Sequence, residues 1–179
     1  ATGAVQALVD LGIPVISSWN GRGAVPEDHP LSLAAGAGLP EIQSFLETVD
    51  LLIVAGSRLR GHETHDQSLA LPARRVQIDI DSKAQGRTYT TDLFVRGEAG
   101  ATLSALAERL AGVLSLDPGL AADVAAARKA AKAAYAAFLD GYAAMPEIVR
   151  RVLPRDGIFV RDVTLSHTTW GHRAFEVYG

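Results

Sequence analysis

The chain has 179 residues, 48% of them apolar and 21% charged, enough for one domain with a core of its own or for one domain and part of another. A formal charge of −3 without a basic run gives nucleic acid or an anionic membrane surface no footing. The absence of cysteine excludes disulfides, thiolate catalysis and cysteine-based zinc sites.

The opening stretch ATGAVQALVDLGIPV has neither a positive segment nor a long apolar core, so no signal peptide is expected. No apolar run approaches the roughly 20 residues of a membrane span. These features read as a soluble cytoplasmic protein. Val5, Leu8 and Leu11 at helical spacing predict a helix over 2–11, stopped by Gly12. IPVISS (13–18) reads as a short buried strand, followed by the loop WNGRGAVPEDHPLS. Pro40 opens a second helix over 40–49, with Ile42, Phe45, Leu46 and Val49 on one side. DLLIVAG (50–56) is apolar on both faces, as in a sheet covered by helices on two sides. RRVQIDID (74–81) and DLFVRG (92–97) predict further strands, and 98–114 a helix with the stripe Leu103, Leu106, Leu110 and Leu114. This alternation predicts an open α/β layer with a mostly parallel sheet, whose ligands would sit at the carboxyl ends of the strands, at the loops after residues 18, 55 and 80.

A different composition begins at Asp117-Pro118, an N-cap followed by proline. Residues 118–140 are nearly half alanine and predict one long helix. Its face carries Leu120, Val124, Ala127, Ala131, Tyr135, Phe138 and Tyr142. A short helix (147–152), a turn at 154–157, the strand IFVRDV (158–163), a polar loop and a helical stretch with Trp170 and Phe175 then read as the start of a second α/β domain. The expected division is a layered domain over 1–115, a helical linker over 116–145 and the beginning of the second domain over 146–179.

VAGSRLRGHETHD (54–66) invites two chemistries. His62 and His65 are three residues apart where the helical zinc motif needs four, so no metal site is expected. A dinucleotide fingerprint needs three glycines, and only Gly56 and Gly61 occur; the lysine of a P-loop is missing as well. Yet Asp79 lies where a ribose-binding acid would, and Arg58 is able to pair with a phosphate. Asp28-His29 reads as a turn before Pro30 in preference to a base and its orienter. No nucleophile elbow is present, which argues against a hydrolase triad.

GIPVISSWNGRGAVPEDHPLS, DLLIVAGSRL and VQIDIDSKAQGRTYTTDLFVRGEA, in this order and spacing, resemble the central domain of thiamine-diphosphate-dependent enzymes such as acetolactate synthase and benzoylformate decarboxylase. LPRDGIFVRDVTLSHTTWGHRAFEVYG is similar to the opening of their third domain. The resemblance implies a Rossmann-like (DHS-like) domain in a decarboxylase or carboligase that uses thiamine diphosphate and Mg2+. It also implies that the activating glutamate and the Gly-Asp-Gly…Asn magnesium motif belong to N- and C-terminal catalytic domains absent from this chain. The active site would form between subunits of a homodimer or homotetramer, and the chain alone would be inactive. Thr164, Ser166, His167 and Thr168 fall where relatives touch the diphosphate; capping of the following helix is the equal alternative. Gly56-Ser57-Arg58 and Asp79-Ile80-Asp81 match the segments by which acetolactate synthase holds FAD. Leu59-Arg60-Gly61 replaces the acids that follow, and Ala34-Ala35-Gly36-Ala37 replaces a Gly-Met-His-Gly segment, so FAD is not the favoured expectation. Two alternatives stay open: a stand-alone module binding FAD or ADP, and an assembly protein docking through the alanine-rich helix.

Overall fold

The apolar spacing of the first residues becomes α1, Thr2–Asp10, which buries Ala4, Leu8 and Val9. The computed structural model describes residues 2–178, the side chain of His167 excepted. Pro40 opens α2, Pro40–Leu46, where its missing N–H costs nothing, and Ile42, Phe45 and Leu46 turn inward. Three strands follow: β1, Leu51–Ala55; β2, Arg74–Asp79; and β3, Leu93–Arg96. They form one open sheet in the order β1-β2-β3, parallel throughout, with Ile53 opposite Val76 and Ile78 opposite Val95. Helix α3, Ala99–Leu110, returns across the sheet and packs on α1. Ile78, Leu103 and Ala107 close a core with Ala4 and Leu8. Successive strand residues point to opposite faces, and both Gln77 and Ile78 are buried, so β2 is covered on both sides as its composition predicts.

The alanine-rich segment forms α4, Leu120–Leu139. Asp117 accepts a hydrogen bond from the Gly119 N–H at 2.7 Å, one turn before the helix proper. Val124 and Ala131 meet Ile42, Phe45, Leu46 and Leu33 in a second core between α4 and α2. The seam is narrower than the predicted face: Phe138 is 70% exposed, and Tyr142 lies beyond the helix and is exposed too. Helix α5, Met145–Val152, and two single turns, α6, Leu165–Thr168, and α7, Trp170–Arg173, complete the chain. Trp170 and Phe175 pack with Leu139 of α4.

Three sequence expectations need correction. Residues 13–18 do not join the sheet; Val15 makes a lone parallel bridge to Ser32, because its backbone pairs with 31–33 as the following loop returns. Residues 158–163 form no strand, for among the described residues no neighbouring strand pairs with them, and Ile158, Val160 and Val163 are exposed. The polar stretch expected as a loop coils into α6.

Candidate functional site at the strand ends

Parallel pairing brings the carboxyl ends of all three strands to one edge, where a cleft of about 490 Å³ opens. β1 ends at Gly56, whose φ of +62° suits a residue without a Cβ; its N–H donates to Ile78 O at 2.9 Å. Ser57 Oγ accepts from Leu59 N–H at 3.2 Å, and Thr88 Oγ1 donates to the Arg58 carbonyl at 2.9 Å, pinning the loop beside β2. Asp79 ends β2 with its side chain buried, accepting from Asp81 N–H at 2.8 Å. The structure therefore brings Gly56, Ser57, Arg58 and Asp79 to one cleft. Asp81 reaches that group through an ion pair, Arg58 Nη2 to Asp81 Oδ2 at 3.2 Å.

Two of the anion-binding groups of this edge are already engaged by neighbouring carboxylates. Arg58, the natural phosphate partner, is held by Asp81, which also accepts from Lys83 N–H at 3.0 Å. The N–H groups that open α3 would receive an anion in a dinucleotide fold, but Glu98 fills their place. Its carboxylate accepts from Ala101 N–H at 2.6 Å and Gly100 N–H at 2.9 Å. Those two N–H groups hold the Glu98 carboxyl below its ordinary value. Glu63, Asp79 and Glu98 line the cleft against Arg58 and Arg60, so a pyrophosphate entering it meets three carboxylates. Of the cleft's two guanidiniums, Arg60 is the one not paired with a carboxylate among the described residues.

The histidines of the same loop are drawn apart. Residues 65–67 all have positive φ (48°, 53° and 68°), which swings His65 onto Gly38. His62 stays at the cleft, its ring 5.1 Å from that of Trp19. Glu63 Oε1 accepts from Trp19 N–H at 3.1 Å. Among the described residues no group of three or more His, Asp or Glu side chains is arranged to hold a metal ion. Asp28 and His29 also part company: Asp28 pairs with Arg155 at 2.8 Å, while His29 Nδ1 accepts from Leu31 N–H.

At the far end of the chain, Thr164, just before α6, and Thr168 on it are exposed. Thr164 Oγ1 and Ser166 Oγ share a hydrogen bond at 3.3 Å, and Thr168 Oγ1 donates to the Thr164 carbonyl at 3.1 Å. The side chain of His167 lies outside the described residues. These hydroxyls bond within their own turn.

Sequence reasoning missed the residues that join the two ends of the molecule, chiefly Arg22, Glu27 and Arg128. Their partners are backbone atoms about 100 to 150 positions away. The one local signal was two opposite charges five residues apart in a glycine- and proline-rich loop.

A parallel α/β layer with helices against its sheet and a polar cleft at the strand ends defines the class of Rossmann-like domains. Within it, residues 1–106 match the family described as thiamine pyrophosphate enzyme, central domain, and the chain belongs to that family. The probable 2-ketoarginine decarboxylase AruI of Pseudomonas aeruginosa is 28% identical over 166 residues, covering 92% of this chain and 29% of the relative. A probable acetolactate synthase large subunit of Methanococcus aeolicus is 31% identical, over 60% of this chain and 18% of the relative. The putative acetolactate synthase large subunit IlvB2 of Mycobacterium tuberculosis is 36% identical, over 53% of this chain and 18% of the relative. The chain thus spans under a third of the length of these relatives. With 92% coverage, the likeness to the decarboxylase runs beyond residue 106 and through α4.

Proposed function

We propose that this chain is the middle portion of a thiamine-diphosphate-dependent enzyme acting on 2-oxo acids, and that its residues supply position, with the reacting groups elsewhere. The observation that carries the assignment of a positioning role is the strand-end cleft, where Asp81 and Glu98 occupy the Arg58 guanidinium and the α3 N–H groups. That engagement speaks against a bound flavin and against a free-standing nucleotide module. Of the two reaction branches we favour decarboxylation, because the likeness to the named decarboxylase continues through α4. A 2-oxo acid with a basic side chain is the first substrate to try.

In this reading the layered domain covers 1–115, the linker 116–145 and the start of the cofactor-binding domain 146–179. Bound thiamine diphosphate supplies the electron sink on which a 2-oxo acid loses carbon dioxide. Thr164, Ser166, His167 and Thr168 are the groups of this chain assigned to its diphosphate, with Mg2+ held by residues outside the chain. The support is their resemblance to the family segment and the exposure of Thr164 and Thr168. A homodimer or homotetramer in the cytoplasm completes the proposal; no helix among the described residues is long and apolar enough to cross a membrane.

The test is made on the whole-length protein supplied with thiamine diphosphate and Mg2+. Carbon dioxide should be released from a 2-oxo acid only when the cofactor is present, and the protein should be colourless. Loss of cofactor dependence would overturn the enzyme assignment. A yellow protein carrying one flavin per chain would overturn the account of the cleft.

A further inference from the structure

A buried junction ties three distant stretches of the chain together. Arg22 and Glu27 form a two-pronged ion pair, Nε to Oε1 at 2.7 Å and Nη2 to Oε2 at 2.5 Å, with side chains only 7% and 1% exposed. Arg22 also donates to the carbonyls of His172 at 2.6 Å and Phe175 at 2.5 Å, inside α7 and just past its end. Glu27 Oε2 accepts from Val177 N–H at 2.8 Å, and Glu27 N–H donates back to Val177 O at 2.8 Å. From the other side, Arg128 of α4 donates to the carbonyls of Glu27 and His29, both at 2.7 Å.

α7 in turn is interlocked with α6. A Cβ placed on Gly171 would lie 2.3 Å from the Ser166 carbonyl oxygen, so only glycine lets the two turns approach this closely. Whatever fixes the end of α7 therefore fixes the turn that carries Thr164, Ser166 and Thr168.

We propose that Arg22, oriented by Glu27, is a positioning residue: it clamps α7 to the loop before α2 and so sets the direction in which the 164–168 turn presents its hydroxyls to the cofactor's diphosphate. The inference rests on the role proposed above for that turn. Guanidinium chemistry suits the task, because a planar fork grips a carboxylate along one edge while its remaining N–H groups reach carbonyls. An ammonium is a point charge and does not reproduce that geometry. The charge of Glu27 is required because Arg22 is buried, and a lone buried cation would draw in water and loosen the contact.

Arg22→Lys, Glu27→Gln and, separately, Gly171→Ala in the whole-length protein provide the test. For the first two, hydrogen exchange at the amides of Ala174, Phe175 and Val177 should quicken about tenfold or more, while those of β1–β3 keep their protection. Trp19 and Trp170 report the same event: Trp19 lies 4.2 Å from the His172 ring and Trp170 is buried, so the emission of these two should shift to the red. The thiamine diphosphate concentration giving half-maximal rate should rise about tenfold in all three variants, with kcat at saturating cofactor within about twofold of wild type. Unchanged exchange in the Arg22 and Glu27 variants would overturn the clamp. A fall in kcat at an unchanged cofactor requirement would overturn its link to the diphosphate, as would a Gly171→Ala protein with wild-type cofactor affinity. Should the wild-type protein bind no thiamine diphosphate, the proposed function fails, while exchange and fluorescence still decide whether the clamp exists.

Discussion

Glu98 shows how a single side chain changes the meaning of a site. By closing the N-terminus of α3 it occupies the N–H groups an anion would use, and its carboxyl titrates below its ordinary value of 4.5. A carboxyl whose folded value is depressed adds stability that is complete above the unfolded value and is lost as pH falls through the folded one. Glu98→Ala should therefore lower Tm at pH 7, with the gap from wild type narrowing below pH 4.5; circular dichroism melts across that range are the check. Arg58 should behave differently. Its pair with Asp81 is 47% and 37% exposed, and exposed pairs contribute roughly 0–1 kcal/mol. Arg58→Ala should change the denaturation free energy by no more than about that amount. The same substitution should leave the whole enzyme's cofactor requirement untouched; a strong rise would restore the cleft as a ligand site.

Among the elements, those read most securely from sequence carry a strong signal in their own residues. Helix α1 has its apolar spacing, α2 its proline, and β1 and β2 their apolar runs; each appears within a few residues of its expected span. Two segments of strand composition do not become strands. IPVISS has strand composition but bonds to the loop at 31–34, and IFVRDV has strand composition without a partner strand among the described residues. Apolar alternation says what a segment can do beside a sheet, and it cannot say whether a sheet edge is offered. The candidate cleft was half legible: Gly56, Arg58 and Asp79 were brought together as expected, whereas the carboxylates that engage its donors come from across the turn and from the next helix. The seam between α2 and α4 gives two stability tests. Ile42 is 1% exposed, and Ile42→Ala should cost about 2–5 kcal/mol in urea denaturation. Ala131→Leu adds volume where α4 lies against α2 and should cost about 1–3 kcal/mol through overpacking.

For the whole molecule, the layered domain and the C-terminal turns are fastened by the junction of Arg22, Glu27 and Arg128, in addition to the Leu139–Trp170–Phe175 cluster. Apart from the Arg22–Glu27 spacing, the local sequence did not announce that junction, since its long-range acceptors are largely main-chain oxygens that any residue could supply. Calorimetry of this chain alone with thiamine diphosphate and Mg2+ should detect no binding, because the hydroxyls of Thr164, Ser166 and Thr168 bond within their own turn and the proposed Mg2+ ligands lie elsewhere. Measurable binding by the isolated chain would overturn the division of labour proposed above.

The parallel register also dictates an order of events during synthesis. Each residue of β1 pairs with one 23 positions later, and residues 76–79 of β2 each with one 17 positions later, so neither ladder can begin as a hairpin. The sheet cannot be completed before Arg96 has left the ribosome, whereas α4, with backbone bonds only four residues apart, can coil as soon as it emerges. Yet α4 finds its seat on α2, made some eighty residues earlier. The nascent chain must therefore hold the apolar side of α2 open until the alanine-rich segment arrives, and that interval is when a chaperone has most to grip.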